Sequence, residues 1–181
     1  ELFARLGFDP QTVSTVEDLR NLPLLDKATI RAHTEAIKNP SAAGLARFNT
    51  GGSSGEPLIF FIGKERVSHD VAAKWRATRW WGVDIGDPEI VVWGSPIELG
   101  SQDRVRAIRD KLLRTELLSA FEMSNANLRQ FAQRIQAFKP RMLFGYPSSL
   151  ALLAEYIINN GYKVDDVGIK VVFVTSERLY D

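Results

Sequence analysis

Lys139-Pro140-Arg141-Met142-Leu143-Phe144-Gly145-Tyr146-Pro147-Ser148-Ser149-Leu150 packs a helix stop, a strand and the turn into the next helix into one short stretch. Lys139-Pro140 halts what precedes it, because proline cannot supply the amide a helix needs. Met142-Leu143-Phe144 reads as a short buried strand. Tyr146-Pro147 turns the chain. Ser148 to Asn159 then reads as a helix, with Gly161 placed for a left-handed cap after it. Upstream, Ser124 is positioned to cap a helix whose Leu128, Phe131, Ala132, Ile135 and Phe138 recur at helical spacing. Downstream, Ile169 to Val174 is the next strand. Helices on both sides of a short apolar strand are the repeating unit of a parallel sheet.

The alternation extends toward the N-terminus. Ile90-Val91-Val92-Trp93 is a strand followed by the Gly94-Ser95-Pro96 loop, a charged helix spans about 102–113, and Leu117 to Phe121 is a further short strand. Before them, 65–81 reads as a helix with Val67, Val71, Trp75 and Thr78 along one side, and Gly82 to Pro88 is the turn after it. The expected class is therefore α/β: a mostly parallel sheet flanked by helices, with right-handed crossovers. Residues 1–44 are expected to form a helical leader and 45–181 the α/β body. In the leader, Thr15 with Asp18 opens a short helix, Asp26 caps one running to about Ile37, and Asn39-Pro40-Ser41 ends it. The chain starts at Glu1 without a methionine and stops at Asp181 just after a strand, so it is expected to be a piece of a longer protein.

Composition narrows the function classes. The 181 residues carry 23 Lys and Arg against 22 Asp and Glu, a net charge of +1. That balance gives no case for a nucleic-acid or acidic-membrane partner. No cysteine is present, which excludes disulfides and thiolate metal sites. His33 and His69 stand far apart, and no metal site is expected. No apolar run reaches the ~18 residues of a membrane span. A cytoplasmic enzyme fits these bounds; oligomeric state, self-association included, is left open.

The chemistry-bearing stretch is Thr50-Gly51-Gly52-Ser53-Ser54-Gly55-Glu56-Pro57. Glycines let a backbone approach a ligand closely, and consecutive amides in such a turn form an anion nest. Thr50, Ser53 and Ser54 add hydroxyl donors. The five apolar residues Leu58 to Ile62 follow and suggest a strand buried on both faces. The design is strand, donor-rich loop, strand. A Walker loop would need Gly-Lys-Ser/Thr and a following helix. A Gly-x-Ser-x-Gly hydrolase elbow matches in letters, but it too needs a helix after the serine. The amidase-signature loop shares the same letters and would lead into a small-residue helix. A ligand-free hairpin turn is the plain reading, yet it needs only one or two special residues.

Taken together, these stretches resemble the adenylate-forming ligases, in the phenylacetate–CoA ligase-like branch that includes proteins associated with capsular-polysaccharide gene clusters. Thr50 to Pro57 resembles the superfamily's phosphate loop, although that loop commonly carries lysine where this chain has Glu56. Leu22-Pro23-Leu24-Leu25-Asp26-Lys27 resembles the branch's approach to the loop, and Gly82-Val83-Asp84-Ile85-Gly86-Asp87 its turn after the first core helix. Phe138-Lys139-Pro140 with Gly145-Tyr146-Pro147-Ser148-Ser149-Leu150 resembles its strand-to-helix turn, and Val174-Thr175-Ser176-Glu177 the start of its adenine-proximal segment.

The resemblance implies a large N-terminal ligase domain, with 45–181 an incomplete nucleotide-binding subdomain. It implies ATP and Mg²⁺, a small-molecule carboxylate substrate and an acyl-adenylate, with coenzyme A as a candidate acceptor. Thr50, Gly51, Gly52, Ser53, Ser54 and Gly55 would grip phosphates, and Thr175, Ser176 and Glu177 would border the nucleotide. Trp93, Tyr146, Pro147 and Ser148 would line the acyl or nucleotide pocket, with core packing the rival for Trp93 and helix capping the rival for Ser148. The resemblance puts an aromatic-Gly-x-x-Glu motif, a ribose-binding aspartate and a catalytic lysine beyond Asp181, so this piece alone is not expected to complete the reaction. A non-catalytic phosphate-binding or assembly module is the competing class. Trp75, Trp80 and Trp81 are expected in the core or an interface, His33 and His69 on helix surfaces. The Arg104, Arg106, Arg109, Lys111 and Arg114 cluster is expected on a solvated face, with a coenzyme A phosphate contact as its alternative.

Overall fold

The computed structural model describes residues 2–50, 58–94 and 104–179. The chain divides into two compact units, Glu1–Lys64 and Glu65–Asp181.

The first unit is built by caps and a hairpin. After helix α1 (Leu2–Leu6), Asp18 accepts the amides of Ser14 (3.0 Å) and Thr15 (2.9 Å) at the head of a 3-10 turn over Glu17–Asn21. Asp26 caps α2 (Lys27–Ala32) by accepting the Thr29 amide at 2.7 Å. The helix expected to run to Ile37 breaks at His33, and a separate short helix α3 covers Thr34–Ile37. The cause lies at Thr34, whose hydroxyl donates to the Ile30 carbonyl at 2.9 Å and competes for an acceptor of the helical ladder. Strands β1 (Ala46–Asn49) and β2 (Ile59–Ile62) then pair antiparallel, Asn49 opposite Ile59. Ile59 to Ile62 are half-buried rather than buried on both faces. Among the described residues the apolar run belongs to a two-stranded hairpin, which gives it one strand neighbour and less cover than a central strand has.

The second unit is the α/β body. Strands β3 (Glu89–Trp93), β4 (Thr115–Ser119), β5 (Met142–Gly145) and β6 (Val171–Val174) form a parallel sheet in the order β4-β3-β5-β6. Helix α4 (Lys64–Arg79) precedes β3, and helices α5 (Arg104–Leu113), α6 (Asn125–Phe138) and α7 (Pro147–Asn159) connect the strands in turn. Ser124 caps α6 as expected, accepting the Asn127 amide at 3.3 Å. Lys139 ends that helix in the left-handed region (φ 52°), and Gly161 follows α7 at φ 67°.

Alternation along the strands divides the sheet into two faces. Ile90, Val92 and Leu143 face α6 and α7, where they cluster with Leu128, Phe131, Ala132, Ile135, Leu150, Leu153 and Ile157. Val91, Met142, Phe144 and Phe173 share a hollow of about 480 Å³ with Asp70, Lys74, Ala77 and Thr78 of α4. Glu89, only 3% exposed, anchors α4 to the sheet: its Oε1 accepts from Lys74 Nζ at 2.8 Å and from the Thr115 hydroxyl at 2.6 Å. The Gly82–Asp87 turn is bound to β5 by Arg141, which donates to the Gly82 carbonyl (3.1 Å) and to Asp87 (3.3 Å). Trp75 is half-buried, whereas Trp80 and Trp81 stand 73% and 56% exposed, so neither is core. His33, His69, Arg109, Lys111 and Arg114 are exposed, as expected of surface positions.

Candidate functional site

In an open parallel sheet, ligands bind beyond the carboxyl ends of the strands, where the strand order reverses. Here β3 sends the chain to β4 on one side, and β5 returns on the other. The reversal therefore lies between β3 and β5, whose carboxyl ends are Trp93 and Gly145.

Gly145 permits the close approach of these two strands. A Cβ at this position would stand 2.6 Å from the Val92 carbonyl oxygen and 3.1 Å from Val92 Cβ. Tyr146 follows and stacks on Trp93, ring centroids 4.2 Å apart at 17°. Phe144 approaches the same indole at 5.7 Å. All three rings are half-buried, so they form a partly open aromatic wall on the edge. Ser119, level with Trp93 at the end of β4, has a buried hydroxyl oxygen with no hydrogen-bond partner among the described residues. A buried donor left unmatched is costly, and such groups in native folds call for an explanation.

The third contribution comes from the exit of β6. Thr175 continues the ladder, its amide donating to the Gly145 carbonyl at 3.3 Å. Ser176 then takes φ 68°, a left-handed conformation that costs a non-glycine residue about 1 kcal/mol. This bend carries Glu177 to the start of α7, where its Oε2 accepts the Ser148 amide at 3.0 Å. The Ser148 hydroxyl, and after it the amide, hold the Glu177 carboxyl below the usual carboxylate range. The rival reading of Ser148 as the helix cap is thus replaced: Tyr146 occupies the cap position, Pro147 opens the helix, and Glu177 takes the amide. Proline at the first helical position, with its own amide missing, shifts the cap by one or two residues relative to the serine pattern.

Of the residues singled out in the sequence, Trp93, Tyr146, Pro147, Ser148, Thr175, Ser176 and Glu177 gather on one edge. Thr50 lies in the other unit, at the mouth of the β1–β2 hairpin. Its amide donates to the Leu58 carbonyl at 3.0 Å and its hydroxyl oxygen accepts the Leu58 amide at 3.0 Å, which fixes the two ends of the loop against each other. Gly51, Gly52, Ser53, Ser54 and Gly55, with Glu56 and Pro57, lie outside the described residues, as do Ser95 and Pro96. A strand follows the loop, contrary to the helix that a Walker loop or hydrolase elbow requires. Sequence reasoning missed Phe144 and Ser119. Phe144 had a usable signal in its two-residue spacing from Tyr146; Ser119 had none, because an orphaned hydroxyl is a property of packing.

Solved structures of 2-hydroxyisobutyryl-CoA ligase superpose on this chain. One, in complex with 2-HIB-AMP and CoA in the thioesterification state, matches 96% of the chain and 38% of its own at a TM-score of 0.61 and 21% identity. A second, an open conformation with the same ligands, matches 98% of the chain and 42% of its own at 0.60 and 20%. The fold is shared with these 2-hydroxyisobutyryl-CoA ligase structures. Protein CapK of Staphylococcus aureus is 26% identical over 168 residues, 92% of this chain. The chain spans 37% of the length of CapK and about 40% of the two ligase chains. No family model matches it. The motif resemblance drawn from the sequence is borne out at this level, by the similarity to CapK over most of the chain and by the fold shared with a CoA ligase. Within this fold, the aromatic wall and the Thr175–Glu177 turn sit at the reversal of strand order, where open sheets of this kind bind ligands.

Proposed function

We propose that the chain is the N-terminal portion of an enzyme that activates a carboxylate with ATP as an acyl-adenylate and passes the acyl group to coenzyme A. The convergence of Trp93, Tyr146 and the Thr175–Glu177 turn at the reversal point carries this reading, in a fold shared with a ligase crystallised with an acyl-AMP and CoA. ATP supplies the α-phosphate that the carboxylate takes up as pyrophosphate leaves.

The chain's own part is positioning and charge stabilisation. Thr50 and the amides and hydroxyls of Gly51 to Gly55 grip the β- and γ-phosphates. The hairpin suits that grip, because Thr50 uses its hydroxyl oxygen on the Leu58 amide and keeps its hydrogen for a further acceptor. The Thr175–Glu177 turn borders the nucleotide, and Trp93 with Tyr146, Pro147 and Ser148 shapes the pocket beside it. The orphaned Ser119 hydroxyl on the same edge fits a site that a polar ligand completes. Mg²⁺ is held chiefly by substrate phosphates in sites of this kind. Among the described residues no group of three or more His, Asp or Glu is placed to cage it.

The test is carboxylate-dependent exchange of labelled pyrophosphate into ATP by the full-length parent, with a panel of aryl, aliphatic and sugar acids. Exchange with one class is expected. Ser53→Ala with Ser54→Ala should lower it by roughly a hundredfold, the scale of lost transition-state donors, while far-UV dichroism stays unchanged. A folded parent silent with every acid would favour the non-catalytic module. Labelling of Ser53 by a serine-reactive phosphonate would favour the hydrolase.

A further inference from the structure

One hydrogen bond joins two turns that lie 29 positions apart in the chain, from the Ser148 amide to Glu177 Oε2 at 3.0 Å. We infer that Glu177 is a positioning residue: its carboxylate latches the turn after β6 to the first turn of α7 and thereby sets where Tyr146 stands against Trp93.

Helix α7 opens without a cap of its own. Tyr146, at the cap position, makes no side-chain cap bond, and Pro147 has no amide to offer. Ser148 therefore carries the first amide of the helix, and the group that accepts it comes from another strand. A carboxylate is the favoured partner at that end, where the helix dipole is positive. Glu177 reaches it only because Ser176 adopts φ 68°, a conformation serine rarely takes and one the surroundings must hold. The two turns are also fixed at their bases by the Thr175 amide on the Gly145 carbonyl at 3.3 Å. Two ties, one at each end, leave Tyr146 and Pro147 little room between them. Tyr146 is the residue that stacks on Trp93 at 4.2 Å, so a shift at the latch moves the aromatic wall. The depressed carboxyl of Glu177 accords with a charge engaged in this contact.

The latch is a statement about structure; its effect on rate rests on the ligase reading. Two arms keep them apart. In the first, the near-UV dichroism of Trp93 is isolated in the full-length parent by subtracting the Trp93→Phe spectrum in each background. Glu177→Ala should abolish most of that signal while far-UV dichroism is unchanged, and Glu177→Gln, which keeps an acceptor, should restore part of it. An unaltered Trp93 signal in Glu177→Ala, or no recovery of it in Glu177→Gln, would overturn the latch. In the second arm, pyrophosphate exchange by Glu177→Ala should fall roughly tenfold or more in kcat, with a smaller change in KM for ATP. A loss confined to KM would instead make Glu177 a direct nucleotide contact and overturn the positioning role. Absence of exchange in the unaltered parent would count against the ligase reading, and the spectral arm would still decide the latch.

Discussion

At the scale of single residues, the carboxyl edge combines one position with no spare room and one with an unmet polar atom. Gly145 has room for hydrogen alone, because a Cβ there would sit 2.6 Å from a backbone oxygen on the adjacent strand. Backbone cannot swing aside as a side chain can, so Gly145→Ala must push β3 and β5 apart. A loss of about 1–3 kcal/mol is expected, the range for overpacked cores, read as a lower urea midpoint at unchanged slope. Ser119 presents the opposite case. Its buried hydroxyl has no partner among the described residues, and the strand end around it loses little if the oxygen goes. Ser119→Ala should raise the ligand-free stability by up to about 1 kcal/mol, by removing an unsatisfied group. In the same variant the affinity for the acyl-adenylate should fall, if the hydroxyl serves the ligand. A destabilised Ser119→Ala would show that the oxygen is already satisfied. That pairing of gained stability with lost binding is what distinguishes a site residue from a packing defect.

At the scale of elements, α4 is fastened to the sheet by a charge cluster whose members come from three places in the chain. Glu89 is nearly enclosed, and Lys74 and Thr115 are its two donors. Lys74→Met keeps most of the stem's apolar cover but leaves a buried carboxylate with one neutral donor. It should cost about 1–3 kcal/mol, and adding Glu89→Gln should recover part of that, since a neutral amide is cheaper to bury. The recovery is measured by comparing denaturation of the single and double variants. None of this was visible in the sequence, because the contacts join Glu89 to residues 15 and 26 positions away. What was visible is whatever local rules govern: the Ser124 cap, the Lys139-Pro140 stop, Gly161 after α7, and the alternation that produced four parallel strands. Local rules failed where another segment intervenes. Ser148 fits the pattern of a helix cap, yet a glutamate far along the chain takes its amide. Leu58 to Ile62 has the pattern of a central strand, yet among the described residues it lies in a two-stranded hairpin. Of the site, the residue types at strand ends were legible, while the Trp93–Tyr146 stack and the Ser119 orphan required the sheet order.

At the scale of the whole molecule, the two units share one electrostatic property, which acid should expose. Asp18 and Asp26 in the first unit, and Asp84 and Glu177 in the second, all have carboxyls held below their ordinary values of 3.8 for Asp and 4.5 for Glu. The leading causes are backbone amides donating to each aspartate, from Ser14, Thr29 and Ile85, and the Ser148 hydroxyl donating to Glu177. Each group binds its proton more weakly folded than unfolded. The unfolded chain therefore takes up more protons as pH falls through the normal carboxylate range, and stability must decline with it. Above that range the contribution is complete, so stability should be flat with respect to these four groups from about pH 6 upward. Below about pH 4.5 it should fall, and continue to fall until the lowered values themselves are passed. Because both units carry such groups, both should lose stability in the same window, and the two should be separable by mutation. Asp26→Asn and Glu177→Gln each remove one contribution, so each should flatten the acid limb of its own unit and leave the other's slope unchanged. Urea unfolding from pH 3 to pH 7, followed by residue-resolved hydrogen exchange in each unit, measures this directly. A stability that rises on acidification would contradict the direction of all four shifts, and slopes changed in both units by either substitution would show that the units unfold as one.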